Sequence, residues 1–266
     1  MHPRISLNTI SSLTWRLDDD LAMLERLDAP HFGFPLLKIE DDLAAGIGKI
    51  LTAGRSVSCV AASSAYTSML TEADALGVLS PAIDAAVALE SPLCYFTSGP
   101  TPEHMSTDEA SALLVAALRS SIEYATARGV RLAVENNSVT NRSIGFVHTL
   151  VDTIRLCEQT GLQICLELQN CWYEGELSRL FREHVSRIGL VQVSDFRVGD
   201  DLRLNRRCLG DGSMPLRWLI ETLLDAGYDG LFDIEIIGPA IDEEGPESAL
   251  RRSADWLSEL LDELGA

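Results

Sequence analysis

The chain has 266 residues, of which 46% are hydrophobic and 23% are charged, and this length and composition are typical of one large globular domain. Its 21 basic and 40 acidic residues give a formal net charge of −19, which would repel a phosphate backbone over most of the surface, so we do not expect nucleic acid as a partner. The sequence has no apolar run of about 18 residues and no apolar core of a signal peptide after Met1, so we expect a cytoplasmic protein that does not enter a membrane.

Short segments rich in β-branched and apolar residues alternate along the chain with longer segments of helical spacing. The strands are predicted at residues 4–8, 34–39, 57–61, 93–97, 131–135, 163–168, 189–194 and 231–236. The helices are predicted near residues 18–27, 41–51, 72–89, 108–127, 147–159, 175–184, 215–226 and 247–263. Eight strands that alternate with eight helices favour an α/β fold, a closed (β/α)₈ TIM barrel that takes up residues 1–266 as a single domain.

An open, doubly wound sheet is the alternative architecture. Its first turn normally carries glycines that bind phosphate, whereas the first turn here reads Asn8-Thr9-Ile10-Ser11-Ser12. We therefore favour the barrel.

The six cysteines form no CxxC pair. Cys59, Cys94 and Cys165 lie within predicted strands, where a free thiol acts as a small apolar side chain. In a chain of this length the pattern indicates a reducing compartment rather than a disulfide framework. A zinc site built from thiolates is not expected.

The last four predicted strands each carry an oxygen-bearing side chain near their carboxyl ends. These are Glu135, Glu167, Gln192 and Glu235, each within an otherwise apolar segment. In a barrel the carboxyl ends of the strands converge on one mouth, where active sites are built. Three carboxylates would repel each other there unless a cation lay between them. The alternative interpretation is that each carboxylate forms an ion pair with a nearby arginine.

Because all four donors are oxygens, we predict one divalent metal ion held by Glu135, Glu167, Gln192 and Glu235. Mn²⁺ or Mg²⁺ suits this set best, with Co²⁺ or Zn²⁺ as the alternatives.

At these positions the sequence resembles the sugar phosphate isomerase/epimerase family, the xylose isomerase-like barrels, over nearly its whole length. In that family the metal ligands on strands five to eight are Glu, Asp, His and Glu, so this chain has Glu167 for the Asp and Gln192 for the His. The histidine that the family carries three residues after the Asp is Asn170 here. The segments 145–149, 210–212 and 227–235 also resemble the family, and the last of these is the most specific.

The resemblance implies a small carbohydrate-like substrate, a keto-sugar or keto-polyol. A metal would polarise its carbonyl group and a base would remove the adjacent proton. Returning the proton to the other carbon isomerises the substrate, and returning it to the opposite face epimerises it. The resemblance implies that Glu135 and Glu235 act as the acid and the base.

Several further side chains are candidates for the site. His148 follows Glu135 by 13 positions and is predicted as a catalytic base in place of the missing imidazole, with a first-turn helix residue as the alternative. We predict that Asn137 and Asn170 contact the substrate and that Trp172 stacks on a sugar face. A core position for Trp172 is the alternative.

Four arginines, Arg197, Arg203, Arg206 and Arg207, follow strand seven in an otherwise acidic chain. We expect one of them, and name Arg197, to bind the substrate. The others are expected to pair with Asp195, Asp200 and Asp201.

Three classes of function remain open. The first is a metal-dependent isomerase or epimerase. The second is a metal-dependent lyase, either an inosose-type dehydratase or an enzyme that eliminates a β-substituent from a 3-keto-glycoside, including C-glycoside cleavage. The third is a barrel without catalysis that serves as a binding partner. We also expect a homo-oligomer, with a small partner subunit as a further expectation.

Overall fold

Eight short apolar segments pair in parallel, each with the next along the chain, in a computed structural model that describes residues 1–200 and 204–266. The strands are β1 (Ile5–Asn8), β2 (His31–Pro35), β3 (Ser56–Ala61), β4 (Leu93–Phe96), β5 (Arg131–Glu135), β6 (Gln163–Glu167), β7 (Ile188–Val193) and β8 (Phe232–Ile234). β1 also pairs with β8, so the sheet closes on itself. The predicted α/β TIM barrel is confirmed.

Helices surround this barrel. They are α1 (Leu17–Arg26), α2 (Leu43–Ala53), α3 (Glu72–Ala88), α4 (Thr107–Ala117), α5 (Arg119–Thr126), α6 (Leu150–Thr160), α7 (Leu177–His184), α8 (Leu216–Asp225), α9 (Pro239–Glu244) and α10 (Pro246–Leu264). Capping boxes at Thr71 and Ser106 begin α3 and α4, so local side-chain hydrogen bonds fix where these helices start.

The second strand differs from its prediction at residues 34–39. It runs from His31 to Pro35, and the residues Leu36–Lys38 form a 3₁₀ turn. Gly33 explains the early start, because a β-carbon there would lie 2.6 Å from the sulfur of Cys59 and the barrel strands approach closely at this point. Of the apolar residues after Pro35, Leu37 lines the cavity at the mouth, whereas Leu36 and Ile39 are buried in the core.

Three helical segments also differ from their predictions. The segment 108–127 is two helices, α4 and α5, with a break at Leu118. Helix α6 begins at Leu150 because Thr149 caps it, so His148 lies in the loop before the helix and the first-turn alternative for His148 is wrong. Near the carboxyl terminus a short helix, α9, precedes α10, and Gly245 with a φ of 93° separates the two.

Most of the apolar core lies between the strands and the helices, and a smaller cluster that includes Tyr95, Cys59 and Cys165 fills the barrel interior. All six cysteines are buried and none forms a disulfide, as predicted. Within the described ranges, no helix combines the length and the apolar composition needed to cross a membrane.

Candidate active site

The four oxygen-bearing side chains predicted from the strand ends lie together at the mouth. Glu135 and Glu167 end β5 and β6, Gln192 lies opposite Glu167 in the neighbouring strand, and Glu235 follows β8 directly. All four are buried, with Glu135 8% and Glu235 5% exposed. The alternation of side chains along each strand turns these positions toward the barrel interior.

The guanidinium group of Arg206 lies among these carboxylates. Its Nη1 atom is 2.7 Å from Glu235 Oε1 and 3.0 Å from Glu167 Oε2, and it also donates to the backbone oxygen of Glu235 at 2.7 Å. The side chain of Arg206 is only 8% exposed. One buried cation is therefore shared by two buried carboxyl groups.

The loop after β7 is held in place by Asp195. This carboxylate accepts hydrogen bonds from the backbone amides of Phe196, Gly210, Gly212 and Met214. A β-carbon at Gly212 would lie 2.1 Å from Asp195 Oδ1, so only glycine fits there. Asp195 thus fixes both ends of the loop that carries Arg206 into the mouth.

Burial changes the proton affinity of two of the carboxyl groups. It raises the pKa of Glu135 well above its usual range, and the charges of Glu235 and Glu167 add to this effect. Burial also raises the pKa of Glu167 to about 7, although Arg206 opposes the shift. Both shifts favour the protonated form of these two carboxyl groups.

Glu235 has a different environment, because three donors face it. Arg206 contacts one carboxylate oxygen, while Gln192 Nε2 at 2.5 Å and the hydroxyl of Tyr95 at 3.4 Å contact the other. Glu135, by contrast, accepts one hydrogen bond, from Asn137 Nδ2 at 3.1 Å. The site therefore combines a carboxyl group with a raised pKa and one hydrogen-bond donor, Glu135, with a carboxyl group that three donors face, Glu235.

A cavity of about 260 Å³ opens above these groups. Its polar side is formed by Glu135, Asn137, Asn170, Arg206 and Glu235. Such a concave site with a few convergent polar groups is the usual form of a small-molecule site.

As the structure places them, the four predicted ligands do not fit a divalent ion. Arg206 Nη1 lies between Glu167 and Glu235, and the described residues contain no group of three or more His, Cys, Asp and Glu side chains that could hold a metal. The metal prediction rested on the electrostatic repulsion among buried carboxylates. Here the positive charge of the Arg206 guanidinium group reduces that repulsion. An ion between Glu167 and Glu235 would require Arg206 to move away.

Comparison with known proteins identifies the fold family. The sequence pattern of the family described as "Xylose isomerase-like TIM barrel" matches residues 39–260, which is most of the chain. The chain belongs to this family. No curated protein matches its sequence.

Solved structures share the xylose isomerase-like fold at low identity. An L-ribulose 3-epimerase is 16% identical with a TM-score of 0.79, over 98% of this chain and 95% of the other. The IolI protein with a bound zinc atom is 13% identical with a TM-score of 0.83, over 98% and 99% of the two chains. A 3-keto-D-glucoside 4-epimerase from E. coli is 16% identical with a TM-score of 0.76, over 96% and 99%.

The predicted catalytic residue His148 lies beside the mouth of this xylose isomerase-like barrel and does not line the cavity. Its Nδ1 atom is 3.0 Å from the backbone oxygen of Asn137, and burial lowers the pKa of the imidazole. Asn137 does line the cavity, and its side chain packs so tightly that a β-carbon at Gly145 would lie 1.8 Å from it. His148 thus supports the segment that carries Asn137.

Some of the predicted substrate-binding residues line the cavity and others do not. Asn170 lines the cavity and donates to the backbone oxygen of Asn136 at 2.8 Å. Trp172 lies outside the cavity and packs against the core, as its alternative interpretation held. Arg197 also lies outside it, and donates to the backbone oxygen of Asp211 at 3.2 Å.

Among the arginines that the structure describes after β7, Arg206 is the one that reaches the site. Arg207 forms an isolated antiparallel bridge with Asp195 and pairs with Asp200, so this segment is extended and neighbouring side chains point to opposite sides. Arg203 and Asp201 lie outside the described residues. This alternation turns Arg206 into the mouth, and it depends on the bridge between Asp195 and Arg207, which the sequence does not show.

Proposed function

We propose that this xylose isomerase-like barrel is an isomerase or epimerase that moves the proton next to the carbonyl group of a keto-sugar or keto-polyol. The observation that carries the proposal is the pairing of Glu135 and Glu235 in one buried mouth with opposite environments. The epimerases that share the fold support the choice of reaction.

In the proposed reaction Glu235 is the base and Glu135 is the acid. Glu235 takes the proton from the carbon next to the carbonyl group, and the electron pair of that C–H bond moves to the carbonyl oxygen as an enediolate. Arg206, which lines the cavity, stabilises the negative charge, as does the amide of Asn170. Glu135 then delivers its proton to the opposite face of the same carbon, which epimerises the substrate, or to the former carbonyl carbon, in which case the hydroxyl proton moves to the former carbonyl oxygen and the substrate isomerises. Both carboxyls return to their starting state by exchange with water.

The proposal is tested by following exchange of the substrate's C–H proton in deuterium oxide by NMR, over a panel of keto-pentoses, keto-hexoses and inososes. Wild-type protein is expected to incorporate deuterium, while Glu235→Gln is expected to lower the rate by about 10³-fold or more, because the base is removed. Glu183→Gln, on the exposed surface of α7, is the control and should leave the rate unchanged. Equal rates in wild type and Glu235→Gln would remove Glu235 from the mechanism.

The divalent metal stays a prediction, and no step of the proposed reaction passes through it. It is tested by the metal content of wild type beside Glu135→Ala and Glu235→Ala. A near-stoichiometric ion that both variants lose would establish a metal site at these residues. Wild-type protein without metal and without thermal stabilisation by added Mn²⁺, Mg²⁺, Co²⁺ or Zn²⁺ would contradict the metal prediction.

A β-eliminating lyase is the second candidate, because the cavity extends beyond its polar side and has room for a leaving group. It shares proton removal by Glu235 but expels a substituent instead of taking a proton back. Formation of an unsaturated ketone, seen by its ultraviolet absorbance, distinguishes this lyase from an isomerase. Deuterium incorporation without unsaturation favours the isomerase.

A further inference from the structure

The cavity has an apolar side that the proposed proton transfer does not use. Ile10 follows β1, Pro35 ends β2 and Ala61 ends β3, and all three line the cavity. In the order of the closed sheet these strands lie across the barrel from β5, β6 and β7, which carry the polar groups. The mouth is therefore divided into a polar half and an apolar half.

The rim of the apolar half is exposed to solvent. Leu13 is 39% exposed, Leu37 45% and Tyr66 67%, and Leu204, which reaches the same cavity from the loop after β7, is 41% exposed. A single exposed apolar residue is ordinary on a protein surface, but a cluster of them around a cavity marks a site that binds apolar groups.

Two of these rim residues adopt a backbone conformation that is unfavourable for their type. Tyr66 has a φ of 65° and Leu204 a φ of 51°. A left-handed conformation costs about 1 kcal/mol or more in a residue other than glycine, and such residues concentrate at functional sites. In both cases the unfavourable backbone presents a large apolar side chain to the cavity.

The polar half disfavours an anionic ligand. Glu235 faces the cavity, and the single positive charge of Arg206 is shared between Glu235 and Glu167, which leaves little of it for a doubly charged phosphate. The net charge of −19 adds to the repulsion of a phosphate group.

We propose that the substrate is a neutral molecule with a sugar part and an apolar part. The sugar part rests on the proposed function. A carbonyl-bearing, hydroxylated part lies against Glu135, Asn170 and Glu235. An attached aromatic or hydrocarbon group lies against Leu13, Leu37 and Tyr66. The substrate class is thus a keto-sugar joined to an apolar group and not a free sugar or a sugar phosphate.

Binding of a matched pair of neutral probes tests this class. Phenyl β-D-glucopyranoside and methyl β-D-glucopyranoside differ only in the apolar group, and their dissociation constants are measured by titration NMR. Burying about 55 Å² of the ring, at about 25 cal/mol per Å², is expected to make the phenyl glucoside roughly tenfold tighter. D-glucose 6-phosphate is expected to bind more weakly than the methyl glucoside.

A matched pair of leucine variants assigns that preference to the rim. Leu37→Asn, at the cavity, is expected to reduce the phenyl preference to about threefold or less. Leu51→Asn, at an exposed position of α2 that does not line the cavity, is expected to leave it at its wild-type value. Because both leucines are exposed, both variants should fold, and circular dichroism checks this.

Three results would overturn the proposal. These are equal affinities for the two glucosides, tighter binding of glucose 6-phosphate than of the methyl glucoside, or equal phenyl preference in Leu37→Asn and Leu51→Asn. A change of sedimentation in Leu37→Asn with an unchanged phenyl preference would make the rim a protein interface and would also overturn it. If the preference holds while no keto-sugar exchanges its proton, the proposed reaction fails and the binding inference stands.

Discussion

At the scale of single residues, Arg206 contributes the positive charge of the site. Without it, Glu167 and Glu235 would remain buried with no opposite charge. We expect Arg206→Met to lower the free energy of unfolding by about 3–5 kcal/mol at pH 8. The measurement is urea unfolding of variant and wild type at pH 8 and pH 5.

The pH dependence follows from the raised pKa of Glu167, which is about 7 in the folded chain against 4.5 for a free glutamate. Because the pKa of Glu167 is higher in the folded chain, the ionisation of Glu167 lowers the free energy of unfolding. This cost is absent at low pH and grows as the pH rises toward 7. Loss of Arg206 would increase that penalty, so the destabilisation should be smaller at pH 5 than at pH 8. Arg217→Met, from an exposed pair with Glu263, should cost less than about 1 kcal/mol at both pH values. A pH-independent loss in Arg206→Met would contradict this account.

The positions of Glu135, Glu167, Gln192 and Glu235 could be predicted because polar residues in apolar strands are easily recognised, and strand direction brings their ends together. Arg206 could not be singled out, since its position depends on how Asp195 folds the loop through four backbone amides. His148 was misplaced relative to the cavity for a similar reason. Loop conformation depends on contacts between residues distant in sequence, such as the backbone amide of Phe146 with the Ser98 hydroxyl.

At the scale of elements, Lys38 joins the loop after β2 to helix α1 and to the loop after β1. Lys38 Nζ lies 2.6 Å from Asp20 Oδ2 and donates to the backbone oxygens of Ser12 and Trp15, and neither charged side chain is more than 2% exposed. These loops carry Leu13 and Leu37 to the cavity rim. The pair therefore holds two parts of the apolar half together.

We expect Lys38→Met to lower the free energy of unfolding by about 3 kcal/mol at pH 8, because it leaves Asp20 buried without its cation. Burial raises the pKa of Asp20 to about 6 even with Lys38 beside it, and loss of Lys38 raises this pKa further, so the loss of stability should shrink as the pH falls from 8 toward 6 and Asp20 takes up a proton. Denaturant unfolding at pH 5 and pH 8 measures it, with Lys49→Met, from an exposed pair with Asp18, as control. An equal loss in both variants would show that the buried pair has no special role.

The order of strands was predicted correctly, and the errors lie at element boundaries. The apolar residues of 36–39 are typical of a strand, but Leu37 lines the cavity while Leu36 and Ile39 are buried in the core. Lys38 between them donates to carbonyl groups of another loop. No glycine or proline marks the break between α4 and α5 at Leu118, and the residues on both sides of Leu118 are helical. The sequence therefore gives no local sign of the break. Packing decides such boundaries, and packing is not local in sequence.

At the scale of the whole molecule, the net charge of −19 destabilises the compact state through repulsion among its acidic residues. Raising NaCl from 10 to 200 mM should therefore raise the thermal unfolding midpoint by a few degrees, since the screening length falls from about 30 Å to below 10 Å. Differential scanning calorimetry at pH 8 measures the shift. A midpoint that falls with salt would mean that attractive ion pairs outweigh the repulsion.

Homo-oligomer formation, a small partner subunit and a cytoplasmic location stay predictions.

The burial of every cysteine has a consequence for how motion in this barrel can be observed. Cys165, whose sulfur is 3.2 Å from Gln192 Oε1, lies directly beneath the mouth, whereas Cys157 lies on α6 outside the barrel wall. A thiol reagent can modify either one only when the surrounding structure opens. The modification rate of each cysteine, read by mass spectrometry, thus reports separately how often the barrel interior and its outer shell open.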